Sequence, residues 1–294
     1  IPEIRTGKAV ISPRRRFGID GRMARIYPRF AFAALTAALL AFGAGVPRPA
    51  TAQITNVSQV MELEVLPGWR RADGVHVAGL RITLKPGWKT YWRAAGAAGI
   101  SPQMNWRGSD NMHSVTPMWP TPQVFRQGGS LSIGFDRDFI LPLLIAPRDA
   151  GPIRLNGVLD VGVCADICLP ARLSVAAVLE PSSSVDRRIE AALADRPRRL
   201  RAAARCQLRP TADGMSVTGQ IDVPRQGTSE TVVFEVPDPT IWVTDADTVR
   251  QGDRITGVAD MLVMGEGELS VDRSDILITV IGDRGAVEVM GCTG

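Results

Sequence analysis

The sequence is poor in the side chains that most catalytic and metal sites use. It contains two histidines, His76 and His113, two tyrosines and four cysteines in 294 residues. It has no Cys-x-x-Cys pair, no phosphate-binding Gly-rich loop, no His-Glu-x-x-His motif and no Gly-x-Ser-x-Gly elbow. The usual signatures of nucleotide-binding proteins, zinc proteases and serine hydrolases are therefore missing. The cysteines remain as the residues with the most distinctive chemistry.

Long hydrophobic runs are also scarce, and this excludes a polytopic membrane protein. The one candidate is Phe30–Val46, 17 uncharged residues that follow Arg25 and Arg29 and precede the small-residue triplet Ala50-Thr51-Ala52. This order is typical of a secretory signal peptide. We expect cleavage after Ala52, a true start at Met23 and a periplasmic mature protein. An uncleaved membrane anchor is the alternative, because 17 residues is at the lower limit for a span.

An excess of positive charge is absent outside this leader. Nine of the 34 Lys and Arg residues, but only two of the 30 acidic residues, fall within residues 1–52. The remainder therefore carries more acidic than basic residues, and the net charge of +4 belongs to the leader. Because nucleic-acid binding depends on clustered positive charge, the sequence predicts no nucleic-acid partner.

The 29 glycines and 21 prolines indicate many turns, and the segments between them alternate apolar and polar residues. The predicted strands of the first half are Leu80–Lys85, Phe139–Ile145, Ile153–Val163 and Leu173–Leu179. Pro142 within one of them favours an edge position or a bulge. Short strands at this spacing predict an antiparallel β-sandwich over residues 53–183.

A helical linker over residues 184–204 and a second, smaller β-sandwich over residues 205–294 follow. Ser184 is placed to cap a short helix through Ala194, with Ile189 and Leu193 on one face. The strands predicted after it are Met215–Val223, Thr231–Val236, Ile241–Thr244, Arg254–Met264, Asp275–Ile281 and Ala286–Val289. The chain is therefore predicted to be mainly β.

Cys206 and Cys292 lie at the two ends of the second predicted domain. A disulfide between them would join the start of that domain to its end. The chain-entropy model gives a loop of this length about 4–5 kcal/mol of stabilisation. We therefore predict a structural disulfide.

Cys164 and Cys168 form a Cys-x-x-x-Cys pair between strand-forming residues. Closing so short a loop stabilises a fold by at most about 2 kcal/mol. Reversible thiol–disulfide exchange is the favoured role, with a structural bridge and a metal site as alternatives. Copper(I) accepts two thiolates, but such a site needs a third ligand, and only His76 and His113 are available, with Met112 and Met118 close to His113 in the sequence.

The sequence around this pair resembles the N-terminal periplasmic domain of the thiol:disulfide interchange protein DsbD, in the variant found in the copper-sensitivity suppressor ScsB. The resemblance is carried by Val161–Pro170 and spans roughly residues 55–180. Supporting motifs are Gly87–Arg93, Gly96, Gly99, Pro102, Trp106, Trp119-Pro120 and Ser132–Phe135. Residues 206–292 resemble the second module of the ScsB type with lower specificity.

The resemblance implies an immunoglobulin-like sandwich that carries electrons in the periplasm. It implies a membrane electron carrier or thioredoxin-like protein as donor, separate from this chain, and thioredoxin-fold clients such as disulfide isomerases or cytochrome c maturation proteins. Carried over by position, Cys168 forms mixed disulfides and Cys164 resolves them. No cofactor is implied.

The sequence departs from DsbD in two places. DsbD has two more residues between its cysteines, although Cys-Ala-Asp is shared at residues 164–166. The family's aromatic cap over the disulfide falls near residues 128–131, where this chain has no aromatic residue. We expect Phe125 or Leu131 to shield the disulfide, and Phe135 and Asp166 are further candidates for the cap or the docking surface.

The aromatic residues near the motifs are expected in the core; they are Trp88, Tyr91, Trp92, Trp106 and Trp119. Tyr91 and Trp92 are adjacent and would face opposite sides of a strand, so one of them is the candidate for an exposed docking aromatic. The predicted function is a periplasmic thiol–disulfide relay through Cys164 and Cys168. The alternative is a non-catalytic periplasmic β-sandwich binding module that only docks a partner or carries copper(I).

Overall fold

The structure, a computed structural model, describes residues 56–265 and 269–294. The predicted leader over residues 1–52, with its signal peptide and its start at Met23, lies outside the described residues. In the described ranges, no helix has the length and apolar character needed to cross a membrane. The described residues pack as one compact unit.

The first sandwich, defined here as residues 61–179, consists of two antiparallel sheets. One has the strand order β1-β2-β8-β5 and the other β10-β9-β3-β7-β6, with β4 paired to β9. A short 3-10 helix, Val57–Gln59, precedes them. The strands are β1 (Met61–Arg70), β2 (His76–Leu84), β3 (Lys89–Tyr91), β4 (Gln103–Asn105), β5 (Met112–Pro117), β6 (Gln123–Gln127), β7 (Ser130–Phe135), β8 (Phe139–Pro147), β9 (Ile153–Cys164) and β10 (Cys168–Leu179).

Alternation of apolar residues builds the core of this sandwich. One face of each central strand points between the sheets, as with Leu80 of β2, Leu143 of β8 and Val163 of β9, which are all buried. The opposite face of β9 carries Gly162 and Cys164, so the cysteine pair lies on the outer side of its sheet, away from the sandwich core.

A short helix, α1 (Arg187–Ala194), follows the first sandwich. Ile189 is buried against Leu66, Trp69 and Val77, and Leu193 packs on the same cluster, as the sequence predicts. The cap is Asp186 rather than Ser184, because its carboxylate accepts the Arg188 N–H at 2.9 Å.

The second sandwich, residues 198–290, again consists of two sheets. Their orders are β11-β19-β18-β14 and β12-β13-β17-β15, with β16 paired to β17, and a 3-10 helix spans Arg273–Asp275. Only β11 and β19 pair in parallel among the described strands. The strands are β11 (Arg198–Arg199), β12 (Ala204–Pro210), β13 (Gly214–Asp222), β14 (Glu230–Glu235), β15 (Ile241–Val243), β16 (Asp247–Gln251), β17 (Arg254–Val263), β18 (Leu277–Gly282) and β19 (Gly285–Met290).

The predicted fold class, a mainly β chain with an immunoglobulin-like sandwich, is confirmed. The domain boundaries at residues 183 and 205 stay predictions. Neither the edge position nor the bulge predicted from Pro142 is found, because β8 is a central strand between β2 and β5 and its register with β2 is regular at Pro142. The Pro142 carbonyl still accepts the Met118 N–H at 2.8 Å, so proline costs only the reciprocal bond of that pair.

A cluster of apolar side chains joins the two sandwiches. Leu131, Ile133 and Phe135 point from β7 toward Ile281 and Ala286 of the second sandwich. The second sandwich therefore covers the part of β7 that the first sandwich's own sheets leave open.

Candidate active site

The hairpin of β9 and β10 brings Cys164 and Cys168 together. Cys164 is the last residue of β9 and Cys168 the first of β10, and the two face each other in the antiparallel register. Their Cα atoms are 4.1 Å apart and their sulfurs form a disulfide. The loop between them is closed by a hydrogen bond from the Ala165 N–H to the Ile167 carbonyl, at 2.9 Å. The structure therefore holds the oxidised form of this pair.

The two sulfurs have different environments. Cys164 is 1% exposed because β9 lies inside its sheet and Tyr91 and Ala95 pack against it. Cys168 is exposed because β10 is the last strand of the same sheet. A thiolate or disulfide that arrives from solvent therefore meets Cys168 first.

Tyr91 is the aromatic residue beside the disulfide. Its hydroxyl lies 3.8 Å from the Cys168 sulfur, and a disulfide sulfur has no hydrogen, so the hydroxyl is the donor. Burial raises the pKa of Tyr91 above its ordinary value, which keeps the phenol neutral and able to donate.

A loop over residues 92–101, called here the covering loop, folds over the outer face beside Cys164. Ala95 contacts Cys164, and Ile100 packs on Gly162, where an added Cβ would lie 2.8 Å from the Ile100 Cδ1 atom. Glycine at position 162 therefore makes room for the covering loop.

Two large apolar side chains around this site face solvent. Ile100 is 43% exposed and Ile167, next to Cys168 in the chain, is 54% exposed. Sequence reasoning missed both. The available signal was Ile167 itself, since an isoleucine in a three-residue turn has no strand neighbour to bury it.

The prediction that Tyr91 or Trp92 is an exposed docking aromatic is wrong. Tyr91 and Trp92 do face opposite sides, since Tyr91 packs with Cys164 and Trp92 with Leu131 and Ile133, but both are buried. The second sandwich covers the face that the sequence leaves open. Of the other aromatic residues expected in the core, Trp88 and Trp106 are buried and Trp119 is half-buried.

The expected caps Leu131 and Phe135 are also wrong. Both point to the side of β7 opposite Ser132 and Gly134, into the cluster with Trp92, and Phe135 stacks on Phe139 with ring centroids 3.9 Å apart. Neither side chain reaches the outer face on which the cysteines lie.

Phe125 lies on β6, three strands from β9, which is about 14 Å at the usual strand spacing. It is half-buried, and the Lys89 ammonium lies 5.1 Å from the centre of its ring. Lys89 pairs with Cys164 across β3 and β9, so this lysine stands between Phe125 and the cysteines. Phe125 is therefore not the cap, and Asp166 is exposed at the turn between the sulfurs.

The second pair, Cys206 and Cys292, also forms a disulfide, with Cα atoms 5.6 Å apart. Cys206 is buried in the core of the second sandwich. The segment after β19 is further tied to β12 by the hydrogen bond from the Cys206 N–H to the Thr293 carbonyl, at 2.7 Å. This disulfide links β12 to the segment that follows β19.

In the ranges that the structure describes, no three His, Cys, Asp or Glu side chains come together as a metal site. His76 is buried at the far end of β2, where its Nε2–H donates to the Pro67 carbonyl at 2.7 Å. His113 is exposed on β5, in the other sheet of the sandwich. Neither histidine provides the third ligand that the copper alternative requires.

Comparisons with known proteins agree with this geometry. Residues 51–180 match the family described as thiol:disulfide interchange protein DsbD, N-terminal. The N-terminal periplasmic domain of ScsB from Proteus mirabilis has a similar structure, with a TM-score of 0.61 and 20% sequence identity over 80% of this chain and 94% of that chain. No curated protein matches the sequence. The segment that carries Cys164 and Cys168 is therefore a DsbD N-terminal-like domain, related to thiol–disulfide interchange.

Proposed function

We propose that this protein is a periplasmic thiol–disulfide relay in which Cys168 exchanges with partner proteins and Cys164 resolves the intermediate. The observation that carries the proposal is the unequal exposure of the two sulfurs, at the end of a hairpin whose outer strand is the sheet edge. Exchange requires one accessible sulfur and one protected partner, and Cys168 and Cys164 meet these two requirements.

The chemical sequence starts from the reduced pair. The Cys168 thiolate attacks one sulfur of a client disulfide, and the client's other sulfur leaves as a thiolate and takes up a proton. The Cys164 thiolate then attacks the Cys168 sulfur and displaces the client's remaining sulfur. The client gains two electrons and two protons, and the Cys164–Cys168 disulfide of the present structure is formed.

A dithiol donor must reverse these steps to reduce the pair again. The donor class implied by the family is a membrane electron carrier or a thioredoxin-like protein, and the client class is a periplasmic thioredoxin-fold protein. Ile100 and Ile167 flank the exposed sulfur and provide an apolar contact surface for such partners. The covered Tyr91 orients and hydrogen-bonds the sulfur but offers no surface to a partner.

Trapping of the mixed disulfide tests the relay. A Cys164→Ser variant keeps the exposed Cys168 thiol and removes the group that would release the partner. We expect it to form a stable covalent complex with a purified, oxidised thioredoxin-fold disulfide isomerase, seen as a mass shift that dithiothreitol reverses.

The matched control is Cys168→Ser, which keeps only the buried Cys164. It should form the complex at less than about a tenth of the rate, because thiol exchange depends on access to the sulfur. Absence of a complex with Cys164→Ser, or equal complex formation by both variants, contradicts the proposal.

A further inference from the structure

The covering loop touches the cysteine pair on one side and the second sandwich on the other. We propose that the second sandwich holds this loop in place through Arg93 and Asp245, and so controls how readily the Cys164–Cys168 disulfide is attacked. Arg93 and Asp245 are thus positioning residues. The inference deepens the proposed relay and rests on it for its role in the cell.

On the redox side, the loop buries the sulfur that must leave during reduction. Ala95 and Tyr91 pack against Cys164, and Ile100 lies over the neighbouring Gly162. When Cys168 is attacked, Cys164 departs as a thiolate, and burial among apolar groups disfavours a thiolate. A loop held in this position therefore slows reduction of the disulfide.

On the other side, Arg93 binds two carboxylates of the second sandwich. Its guanidinium donates to both Glu235 oxygens, at 2.8 and 3.0 Å, and to Glu288 at 2.6 Å. Glu235 ends β14 and Glu288 lies on β19, so one side chain of the loop contacts two strands. Arg93 also lies over the Trp92 ring, 3.9 Å from its centre. All three charged groups are largely buried, where paired and bidentate contacts are strongest.

A second contact lies four residues further along the loop. The Ala97 N–H donates to the Asp245 carboxylate at 2.9 Å. At Gly96, φ is +76°, and an added Cβ would lie 2.8 Å from a Leu131 methyl and 3.2 Å from the same carboxylate. Only glycine fits this turn, so the loop is shaped to meet Asp245 closely.

The covering loop is also bonded to β7 within the first sandwich. The Ile133 N–H donates to the Ala95 carbonyl at 2.8 Å, and the Ala98 N–H to the Leu131 carbonyl at 3.0 Å. These bonds set the path of the loop. The contacts of Arg93 and Asp245 add charged hydrogen bonds between the loop and the second sandwich. Loss of these charged contacts should loosen the loop without unfolding the sheet.

The test is the rate at which dithiothreitol reduces the oxidised protein that contains both sandwiches. A dithiothreitol thiolate attacks the Cys168 sulfur, Cys164 leaves as a thiolate, and the second thiol of the reagent releases Cys168 and closes a cyclic disulfide. Two electrons pass to the protein, and each cysteine gains a proton. Alkylation followed by mass spectrometry measures the reduction of each disulfide separately.

We expect Arg93→Met to accelerate reduction of Cys164–Cys168 about tenfold, the scale of one charged hydrogen bond. Asp245→Ala should accelerate it about threefold, and Asp245→Asn should restore the slow rate because its amide oxygen still accepts the Ala97 N–H. The Cys206–Cys292 disulfide is the internal control and should keep its wild-type rate. Arg254→Met, which removes an exposed ion pair with Asp222 away from the loop, is the matched control.

Two results would overturn the inference. One is a wild-type rate in both Arg93→Met and Asp245→Ala, and the other is equal acceleration of both disulfides, which would mean general loosening. If Arg93→Met does not fold, the comparison of Asp245→Ala with Asp245→Asn decides. Dithiothreitol reduces the disulfide without a protein partner. A negative trapping experiment would therefore contradict the relay alone, and unchanged reduction rates would contradict the positioning role alone.

Discussion

At the scale of single residues, the site depends on small differences in environment. Cys164 and Cys168 are four positions apart, yet one is buried under Tyr91 and Ala95 and the other is exposed. The Tyr91 hydroxyl lies within hydrogen-bond distance of the exposed sulfur, at 3.8 Å. Chemistry at Cys168 should therefore depend on this hydroxyl.

Tyr91→Phe removes the hydroxyl and keeps the ring that packs on Cys164. In the reduced protein, the Cys168 thiolate then loses a hydrogen-bond donor worth about 1 kcal/mol. In a Cys164→Ser background, we expect alkylation of Cys168 by iodoacetamide at pH 7 to slow about fivefold. Phe125→Leu, on the same face but three strands away, should leave the rate unchanged. An unchanged rate in Tyr91→Phe would show that the hydroxyl does not stabilise the thiolate.

His76 controls a different property, the stability of the first sandwich at low pH. It is buried, and its Nδ1 atom accepts a long hydrogen bond of 3.4 Å from Arg70 while Nε2–H donates to Pro67. Desolvation by burial is the main cause that lowers the pKa of His76 below 6.5. The charge of Arg70 lowers it further, and the bond to Pro67 opposes both. Protonation of Nδ1 would break the bond from Arg70 and place two positive charges together.

The stability linked to His76 is therefore complete above pH 6.5 and is lost as the pH falls below it. We expect the urea midpoint of the wild-type protein to fall between about pH 6.5 and pH 5. His76→Gln keeps a donor for Pro67 but does not titrate, so its midpoint should change less over the same range. Parallel curves for the two proteins would exclude His76 as the cause.

At the scale of elements, edges and pairings decide what each strand can do. β10 is an edge strand, and this exposes Cys168, whereas β8 is central and accommodates Pro142 by giving up one reciprocal hydrogen bond.

In the second sandwich, β16 is held to β14 by Arg250 and Glu230. Both side chains are almost completely buried, and the guanidinium donates to both carboxylate oxygens at 2.7 Å.

Arg250→Met should destabilise the protein by about 3–5 kcal/mol, because it leaves the Glu230 carboxylate buried without its partner. Arg254→Met breaks a bidentate pair of similar geometry that is exposed, and should lower the free energy of unfolding far less than Arg250→Met does. Urea denaturation followed by circular dichroism measures both values. Similar losses in the two variants would contradict the role assigned to burial.

At the scale of the whole molecule, two sandwiches are joined by an apolar cluster and by the charged contacts of the covering loop. The Cys206–Cys292 disulfide lies within the second sandwich and is separate from the Cys164–Cys168 disulfide of the first. It closes a long loop, so its main contribution is to restrict the unfolded chain.

Replacing both Cys206 and Cys292 by serine should lower the free energy of unfolding by about 2–5 kcal/mol. Thermal denaturation measures this loss. In a Cys164→Ser background and below its melting temperature, the variant should still form the mixed disulfide through Cys168 as fast as the Cys164→Ser protein that keeps Cys206 and Cys292. Loss of trapping with an intact fold would assign this pair a redox role.

The strands that could be predicted are those in which apolar and polar residues alternate without interruption along the strand. Predicted and observed limits agree within about two residues for β9, β13 and β17, since each has a continuous two-residue period. The predictions failed at Leu131, Phe135 and Trp92. Alternation of apolar and polar residues divides the side chains of a strand between two faces, but it does not show which face another part of the protein covers. The cover is the second sandwich, whose Ile281 is about 150 positions from Leu131 along the chain.

Local sequence patterns were enough to predict the mainly β class, the buried face of α1 and the strand-forming residues around Cys164 and Cys168, because each depends on neighbours within a few residues. The packing of the sheets was needed to show which cysteine is exposed and which residues cover the other. It also brought Arg93 to Glu235 and Glu288, 142 and 195 positions away. Burial and charge pairing at such separations depend on how the sheets pack, and local patterns do not encode that packing.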